Sequence, residues 1–168
     1  VAEAENLVAA GDLGAAITLL EGLPDDQIST EVKPRRADIL GRSYVAIGEL
    51  DTENLEQARD NLQQAVSGAR RLEDPEGTRL LLQTIKDYLA AAGRLPDARA
   101  DRAASLRLLQ ANALLFGFER PRRALDLYAD VAADTAADST VAARALYGAM
   151  LVHDAYLDQP ESAAVYAE

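Results

Sequence analysis

Charged side chains at helical spacing are the first candidates for chemistry in this chain. Arg35, Asp38 and Arg42 follow one another at intervals of three and four residues, a spacing that places side chains on one face of a helix. That face lies away from Leu40 and Tyr44, the apolar residues of the same segment. Two guanidinium groups and a carboxylate in this arrangement suit polar contacts to a peptide or protein partner. An ordinary solvated face is the simpler alternative.

Asn112 is a polar residue on an otherwise apolar stripe between Leu108 and Leu115. If it is buried, its amide needs hydrogen-bond partners within the protein. If it lines a groove, the same amide can hold the backbone of an extended peptide. Both interpretations stay open from the sequence, and Asn112 is therefore the fourth candidate for partner binding.

Residues suited to catalysis do not occur at a recognisable spacing. His153 is the single histidine, and the chain has no cysteine. A catalytic histidine needs a nucleophile and an orienting group that converge on it, and the sequence shows no such pattern. We expect His153 to be a packed or surface residue, and we predict no catalytic residues and no enzyme activity.

Carboxylates are so frequent that close pairs, such as Asp51 with Glu53 or Asp134 with Asp138, are expected without any metal. The Asp134–Asp138 loop lacks the alternating ligands, central glycine and terminal glutamate of a calcium loop. The chain also contains no glycine-rich phosphate loop and no zinc motif. We therefore predict neither a metal site nor a cofactor.

The charge balance argues against nucleic acid as a partner. The formal net charge is −11 and the pI is about 4.5, which opposes general binding to a phosphate backbone. Arg120, Arg122 and Arg123 form the densest basic group. A local anion site is one interpretation of this group, and pairing with nearby acids is the favoured one.

The apolar runs and the two ends of the chain lead to expectations about membrane spanning and about the parent protein. No apolar run approaches the ~20 residues that span a bilayer, so we predict no membrane span in this fragment. The sequence begins with Val1 rather than methionine, and a helix that starts near Pro160 has little room before Glu168. We expect further repeats in a longer parent chain.

Apolar periodicity and turn signals predict helices throughout and essentially no strand. Aromatic residues make up 5% of the chain, and a core of alanine and leucine suits closely packed helices. The segments expected to be helical are residues 1–10, a stretch between Gly11 and Pro24, 34–48, 54–69, 75–92, 97–116, 121–133, 140–157 and a start at 160.

Two details of these helices are specific expectations. Gly93 is predicted to stop the helix that begins after Asp74, and Ser139 is predicted to cap the helix that follows it. The segment after Pro96 is either one helix from about 97 to 116 or a shorter one that bends near 103–105. We favour the single helix, with an irregular first turn.

The order of small and large residues resembles the tetratricopeptide repeat family, in which about 34 residues form a helix-turn-helix unit. In that family a small residue and an aromatic residue mark the first helix, and a small residue followed by a large one marks the second. The first-helix pattern is matched by Leu40, Gly41 and Tyr44, and less completely by Leu146 and Gly148. The second-helix pattern is matched by the pairs Ala16 and Leu20, Ala58 and Leu62, Ala124 and Tyr128, and Ser162 and Tyr166.

The match covers most of the chain but departs from the family pattern in places. Residues 77–105 fit worst, since Arg102 stands where a large apolar residue is expected. The chain has no tryptophan, and most units lack the final proline.

The resemblance implies an all-α fold: a right-handed superhelical array of antiparallel helix hairpins, with about nine helices in one repeat domain over residues 1–168. It also implies a non-enzymatic scaffold that binds a peptide or protein on its concave face, where Arg35, Asp38, Arg42 and Asn112 are the candidate contacts. The alternative is a structural module of a larger bacterial envelope or secretion complex, which self-associates through its repeat ends as a homo-oligomer.

The segment ARALYGAMLV, followed by DQPESAAVY, is also similar to repeats of bacterial envelope proteins, such as the outer-membrane assembly lipoprotein and the periplasmic coordinator of the Tol-Pal system. This similarity favours a periplasmic or envelope-associated location over a cytoplasmic one.

Overall fold

Nine α-helices account for most of residues 1–48 and 50–165, the part of the chain that the computed structural model describes. No strand occurs among these residues, which confirms the all-α prediction. The chain divides into two compact units, Val1–Lys86 and Asp87–Glu168. The superhelical arrangement and the single repeat domain expected from the resemblance stay predictions.

The first unit contains four helices and the beginning of a fifth. They are α1 (Ala2–Ala9), α2 (Leu13–Glu21), α3 (Lys33–Ala46), α4 (Thr52–Ser67) and the first part of α5 (Pro75–Arg94), with short 3-10 turns at Asp25–Gln27 and Ala69–Arg71. Consecutive helices from α1 to α4 pack on one another. The core around α1 and α2 is built from Ala4, Ala16, Ile17, Leu20 and Leu40.

Aspartates fix the starts of several helices, because a side-chain carboxylate accepts a hydrogen bond from an amide of the first turn that has no partner within the helix. Asp12 accepts from the Ala15 amide at 3.1 Å, and Asp51 accepts from the Asn54 amide at 2.7 Å. Asp138 accepts from the Thr140 amide at 2.8 Å. The cap expected at Ser139 is therefore wrong by one residue, since Ser139 is the first residue of the helix.

The second unit continues α5 and contains α6 (Ala100–Asn112), α7 (Pro121–Ala133), α8 (Ser139–Leu151) and α9 (Pro160–Ala164). Gly93 is the second-to-last residue of α5, which ends at Arg94, so the end predicted at this glycine is right to within one or two residues. The helix expected to begin near residue 97 begins at Ala100, and residues 103–105 lie within it without a break.

The helices α6 and α8 end in the same way. Each continues as a π-helical turn, at Ala113–Gly117 and Val152–Tyr156. Each then passes through a left-handed residue, Glu119 with φ 55° and Asp158 with φ 53°, before a proline starts the next helix. The second unit thus repeats one junction after 39 residues, which is longer than the ~34 residues of the family it resembles.

This register aligns Pro160 with Pro121 and Ala163 with Ala124, and both alanines are buried. The resemblance to tetratricopeptide repeats was based on Ser162 as the small residue. Ser162 lies one position before Ala163 and is half-buried. Tyr166, its expected large partner, lies outside the described residues.

Close contact between α3 and α4 depends on Gly41. A β-carbon at this position would lie 2.5 Å from Leu62 Cγ and 3.1 Å from the Ala58 carbonyl oxygen. Leu62 and Ala58 are fully buried, so neither can move freely. The small-residue pattern that the sequence analysis identified therefore corresponds to a real approach of two helix backbones.

We expect Gly41→Ala to lower the free energy of unfolding by about 1–2 kcal/mol, because overpacking outweighs the better helix propensity of alanine. Urea denaturation followed by circular dichroism measures this change. Gly14→Ala is the matched control, since Gly14 also lies in a helix but its nearest neighbour is Ile47 Cδ1 at 4.0 Å. A Gly41→Ala protein as stable as Gly14→Ala would contradict the packing argument.

Candidate functional site

An open groove crosses the second unit between α6 and α8, with α7 beneath it. Its volume is about 430 Å³, within the range of ligand-binding clefts. We call it the α6–α8 groove. Its lining residues are Leu108, Asn112, Phe116, Tyr128, Thr140, Ala143, Arg144, Tyr147, Gly148 and Leu151.

Helical periodicity places these residues in two facing stripes. On one side, Leu108, Asn112 and Phe116 are four residues apart and therefore share one face. The π turn after α6 carries Phe116. On the other side, α8 presents residues 140, 144, 147 and 151 at steps of four, three and four. Both walls are thus helical, with Phe116 on the π turn that continues α6, and helical elements hold their side chains more precisely than loops do.

Tyr128 of α7 forms the floor of the groove. Its side chain is 1% exposed, and the backbone of α8 approaches it at Gly148. A β-carbon at Gly148 would lie 2.5 Å from Tyr128 Cε1. Burial raises the pKa of Tyr128 to about 12, and the nearby Tyr156 contributes in the same direction. The phenol is therefore neutral at physiological pH.

The Tyr128 hydroxyl donates a hydrogen bond to Asn112 Oδ1 at 2.7 Å. This bond orients the amide of Asn112, which is exposed in the groove wall. Within the part of the chain that the structure describes, the Asn112 Nδ2 group makes no hydrogen bond, so it presents two N–H donors. Both sequence interpretations of Asn112 thus apply in part, because it has a partner inside the protein and also lines a groove.

Two large aromatic side chains are exposed at this groove. Phe116 and Tyr147 are each 62% exposed and line its opposite walls. Fully burying such a side chain stabilises a fold or a complex by roughly 1.5–3 kcal/mol. Because these two side chains are mostly exposed, the fold gains only part of that stabilisation. Exposed aromatic residues with a polar group between them are typical of protein-binding surfaces.

The other three predicted site residues, Arg35, Asp38 and Arg42, lie in the first unit, where each contacts charged or polar residues of the same unit. Arg42 Nε lies 3.0 Å from Asp38 Oδ2, and Arg42 Nη2 lies 3.6 Å from Asp74 Oδ2. Arg35 pairs with Glu5 and, at 3.0 Å, with Glu73. These pairs connect α3 to α1 and to the residues just before α5.

Thr78 of α5 completes this polar cluster. It is fully buried, and its hydroxyl oxygen lies 2.8 Å from both Asp38 Oδ1 and the Asp74 carbonyl oxygen. Arg42 Nη2 donates to the same hydroxyl at 3.2 Å. Asp38 and Arg42 therefore have a structural role in joining α3 to α5, and Arg35 joins α3 to α1 and to Glu73. The binding of a partner by these three residues stays a prediction.

The remaining sequence candidates have local contacts. His153 Nδ1 lies 3.0 Å from Gln159 Oε1, and the Gln159 amide donates to the His153 carbonyl oxygen at 2.8 Å, so this histidine helps to form the turn before α9. Arg120, Arg122 and Arg123 line a separate hollow of about 260 Å³.

Arg36, in a smaller basic group, pairs with Asp25 at 2.5 Å. Such pairing with an acid was predicted for the group of Arg120, Arg122 and Arg123, where it stays a prediction.

Two further findings concern metals and membranes. Among the described residues, no group of three or more histidine, aspartate or glutamate side chains is arranged to hold a metal ion. Across residues 1–48 and 50–165, none of the helices combines the length and the apolar character that crossing a bilayer requires.

Phe116, Tyr147 and Arg144 were not among the site residues predicted from the sequence. Three of the eight aromatic residues of the chain, Phe116, Tyr128 and Tyr147, line this groove. Their clustering depends on how α6, α7 and α8 pack, and that packing is not visible in the spacing within any one helix.

A scan against protein-family models finds no match to this chain, and searches of curated proteins and of solved structures find no similar protein. The likeness to tetratricopeptide repeats therefore stays a resemblance, and the geometry of the site has to support any functional proposal.

We expect Thr78→Val to lower the free energy of unfolding by about 1–3 kcal/mol, because the half-buried carboxylate of Asp38 loses a hydrogen-bond partner. Urea denaturation measures the change. Thr18→Val is the matched control, since the Thr18 hydroxyl donates to the Gly14 carbonyl oxygen within an exposed part of α2. Equal stability of the two variants would show that the cluster does not support the fold.

We expect the free energy of unfolding to depend on pH through Tyr128. Its pKa is about 12 in the folded protein and about 10 in an unfolded chain. The unfolded chain therefore loses the proton first, and the free energy of unfolding should fall by up to about 1.4 kcal/mol per pH unit between pH 10 and 12. Tyr128→Phe should show a shallower decline in urea denaturation at pH 9.5 and 11. An equal decline in both proteins would contradict this assignment.

Proposed function

We propose that this chain is a non-enzymatic protein-interaction module, and that its α6–α8 groove binds a short peptide segment of a partner protein. The observation that carries the proposal is the pair of exposed aromatic side chains, Phe116 and Tyr147, on facing walls of an open groove. Aromatic residues of this kind contribute a large share of the energy at protein interfaces.

The groove has dimensions that suit a peptide. Residues 108–116 rise by about 12 Å along the helix axis at 1.5 Å per residue. An extended peptide advances about 3.3 Å per residue, so roughly four residues fit alongside this wall. The floor offers the ring of Tyr128, and the wall offers the Asn112 amide as a donor to a peptide carbonyl group.

The proposal moves the predicted binding surface from α3 to α6 and α8. On α3 the charged groups already pair within the chain, so a partner would have to displace these contacts. At the groove the exposed aromatic surface gains contacts without losing any. Of the four residues chosen from the sequence, Asn112 is therefore the one that the proposal retains.

The test begins with a displayed library of random peptides, selected on immobilised protein. A selected peptide is then labelled, and its affinity is measured by fluorescence anisotropy. We expect Phe116→Ala and Tyr147→Ala each to weaken binding by about tenfold or more, because each removes an aromatic contact worth more than about 1.4 kcal/mol.

Leu146→Ala is the matched control for this test. Leu146 precedes Tyr147 on α8 and is 38% exposed, but it does not line the groove. Circular dichroism establishes that each variant is folded. If selected peptides bind Phe116→Ala and Tyr147→Ala as tightly as Leu146→Ala, the groove is not the binding site.

A further inference from the structure

Among the residues that the structure describes, Arg144 is the single charged one that lines the α6–α8 groove. The chain as a whole carries 28 acidic and 17 basic residues, yet no described residue of the lining is acidic. The charge of the groove is therefore opposite in sign to that of the protein. This local reversal is a form of charge complementarity that can select a partner.

Within the described part of the chain, the guanidinium group of Arg144 lacks the ion pair that several other arginines form. Arg107 of α6 lies 3.5 Å from Asp134, and Arg36 and Arg42 each pair with an aspartate. Arg144 makes no ion pair with any residue in the described part of the chain. It stands next to apolar walls, and an ion pair formed there with a ligand would be strengthened as water is excluded.

On the basis of the proposed function, we propose that the groove selects a peptide segment that carries an aspartate or glutamate side chain next to a large apolar residue. The apolar residue lies between Phe116 and Tyr147, and the carboxylate pairs with Arg144. The Asn112 amide donates to a backbone carbonyl of the same segment. One ligand of this kind thus covers the exposed rings of Phe116 and Tyr147, pairs with Arg144 and accepts a hydrogen bond from Asn112.

The net charge of −11 does not prevent this selection. At physiological ionic strength the field of exposed charges is screened over about 8 Å, so distant carboxylates act weakly on a bound segment. A carboxylate in contact with Arg144 lies well within that distance. The preference for an acid should therefore depend on Arg144 itself and not on the total charge.

A displayed library of random peptides tests this inference when it is selected in parallel on the unmodified protein and on Arg144→Glu. We expect aspartate or glutamate beside a large apolar residue on the unmodified protein, and lysine or arginine at that position on Arg144→Glu. Arg102→Glu is the matched control. It makes the same change in net charge at an exposed residue of α6 outside the groove, and it should keep the preference for an acid.

Synthetic peptides then isolate the ion pair. An amidated peptide selected on the unmodified protein is compared with its Glu→Gln counterpart by fluorescence anisotropy. We expect the glutamine peptide to bind about tenfold more weakly to the unmodified protein, and the two peptides to bind equally to Arg144→Gln. This second variant removes the charge without reversing it, so the comparison holds even if Arg144→Glu does not fold.

The possible failures are distinct. If the selected peptides bind through Phe116 and Tyr147 but show no preference for an acid, the inference about Arg144 is overturned and the groove remains the binding site. An acid preference that persists in Arg144→Gln also overturns it. If binding of the selected peptides is unaffected by Phe116→Ala and Tyr147→Ala, the proposed function itself fails.

Discussion

Close approach of helix backbones is the constraint on which the rest of this structure depends. The chain has few aromatic residues and much alanine, so its helices must come close together to exclude water from the core. Gly41 and Gly148 make this possible, because each lies where a β-carbon would collide with a large buried side chain, Leu62 or Tyr128. The position of α8, and with it one wall of the groove, is set by the second of these contacts.

The junction that follows both α6 and α8 is a second feature that fixes the course of the backbone. A left-handed residue costs roughly 1–2 kcal/mol when it is not glycine, yet Glu119 and Asp158 both adopt this conformation. Hydrogen bonds that close the π turns accompany each of them, from the Phe118 amide to the Ala113 carbonyl oxygen at 2.9 Å and from the Leu157 amide to the Val152 carbonyl oxygen at 3.0 Å. The first junction also positions Phe116, so the backbone geometry that ends α6 shapes the groove.

Much of the fold could be predicted from the sequence, because helix starts and apolar stripes are local signals. Pro121 and Pro160 begin helices as expected, and the pair of Gly41 and Leu62 lies at a close contact. Gly93 also marks the end of α5 closely, because the helix stops at Arg94. The candidate site was harder to predict, because spacing shows which residues share a helix face but not which residues of other elements contact that face. Arg35, Asp38 and Arg42 share a face whose partners, Glu73, Asp74 and Thr78, lie more than 30 positions later in the chain.

The groove brings together buried residues that hold the fold and exposed residues to which the proposed function assigns specificity. Tyr128 and Gly148 are buried and in contact, so a change at either alters the packing of α7 on α8. Phe116, Arg144 and Tyr147 are exposed side chains of the walls, so substitutions there should cost the fold little. A groove with a fixed floor and replaceable walls can change its ligand while keeping its architecture. Under the proposed function, the residues that select a partner therefore lie in the walls, whereas the pattern of small and large residues concerns helix packing and carries little information about a ligand.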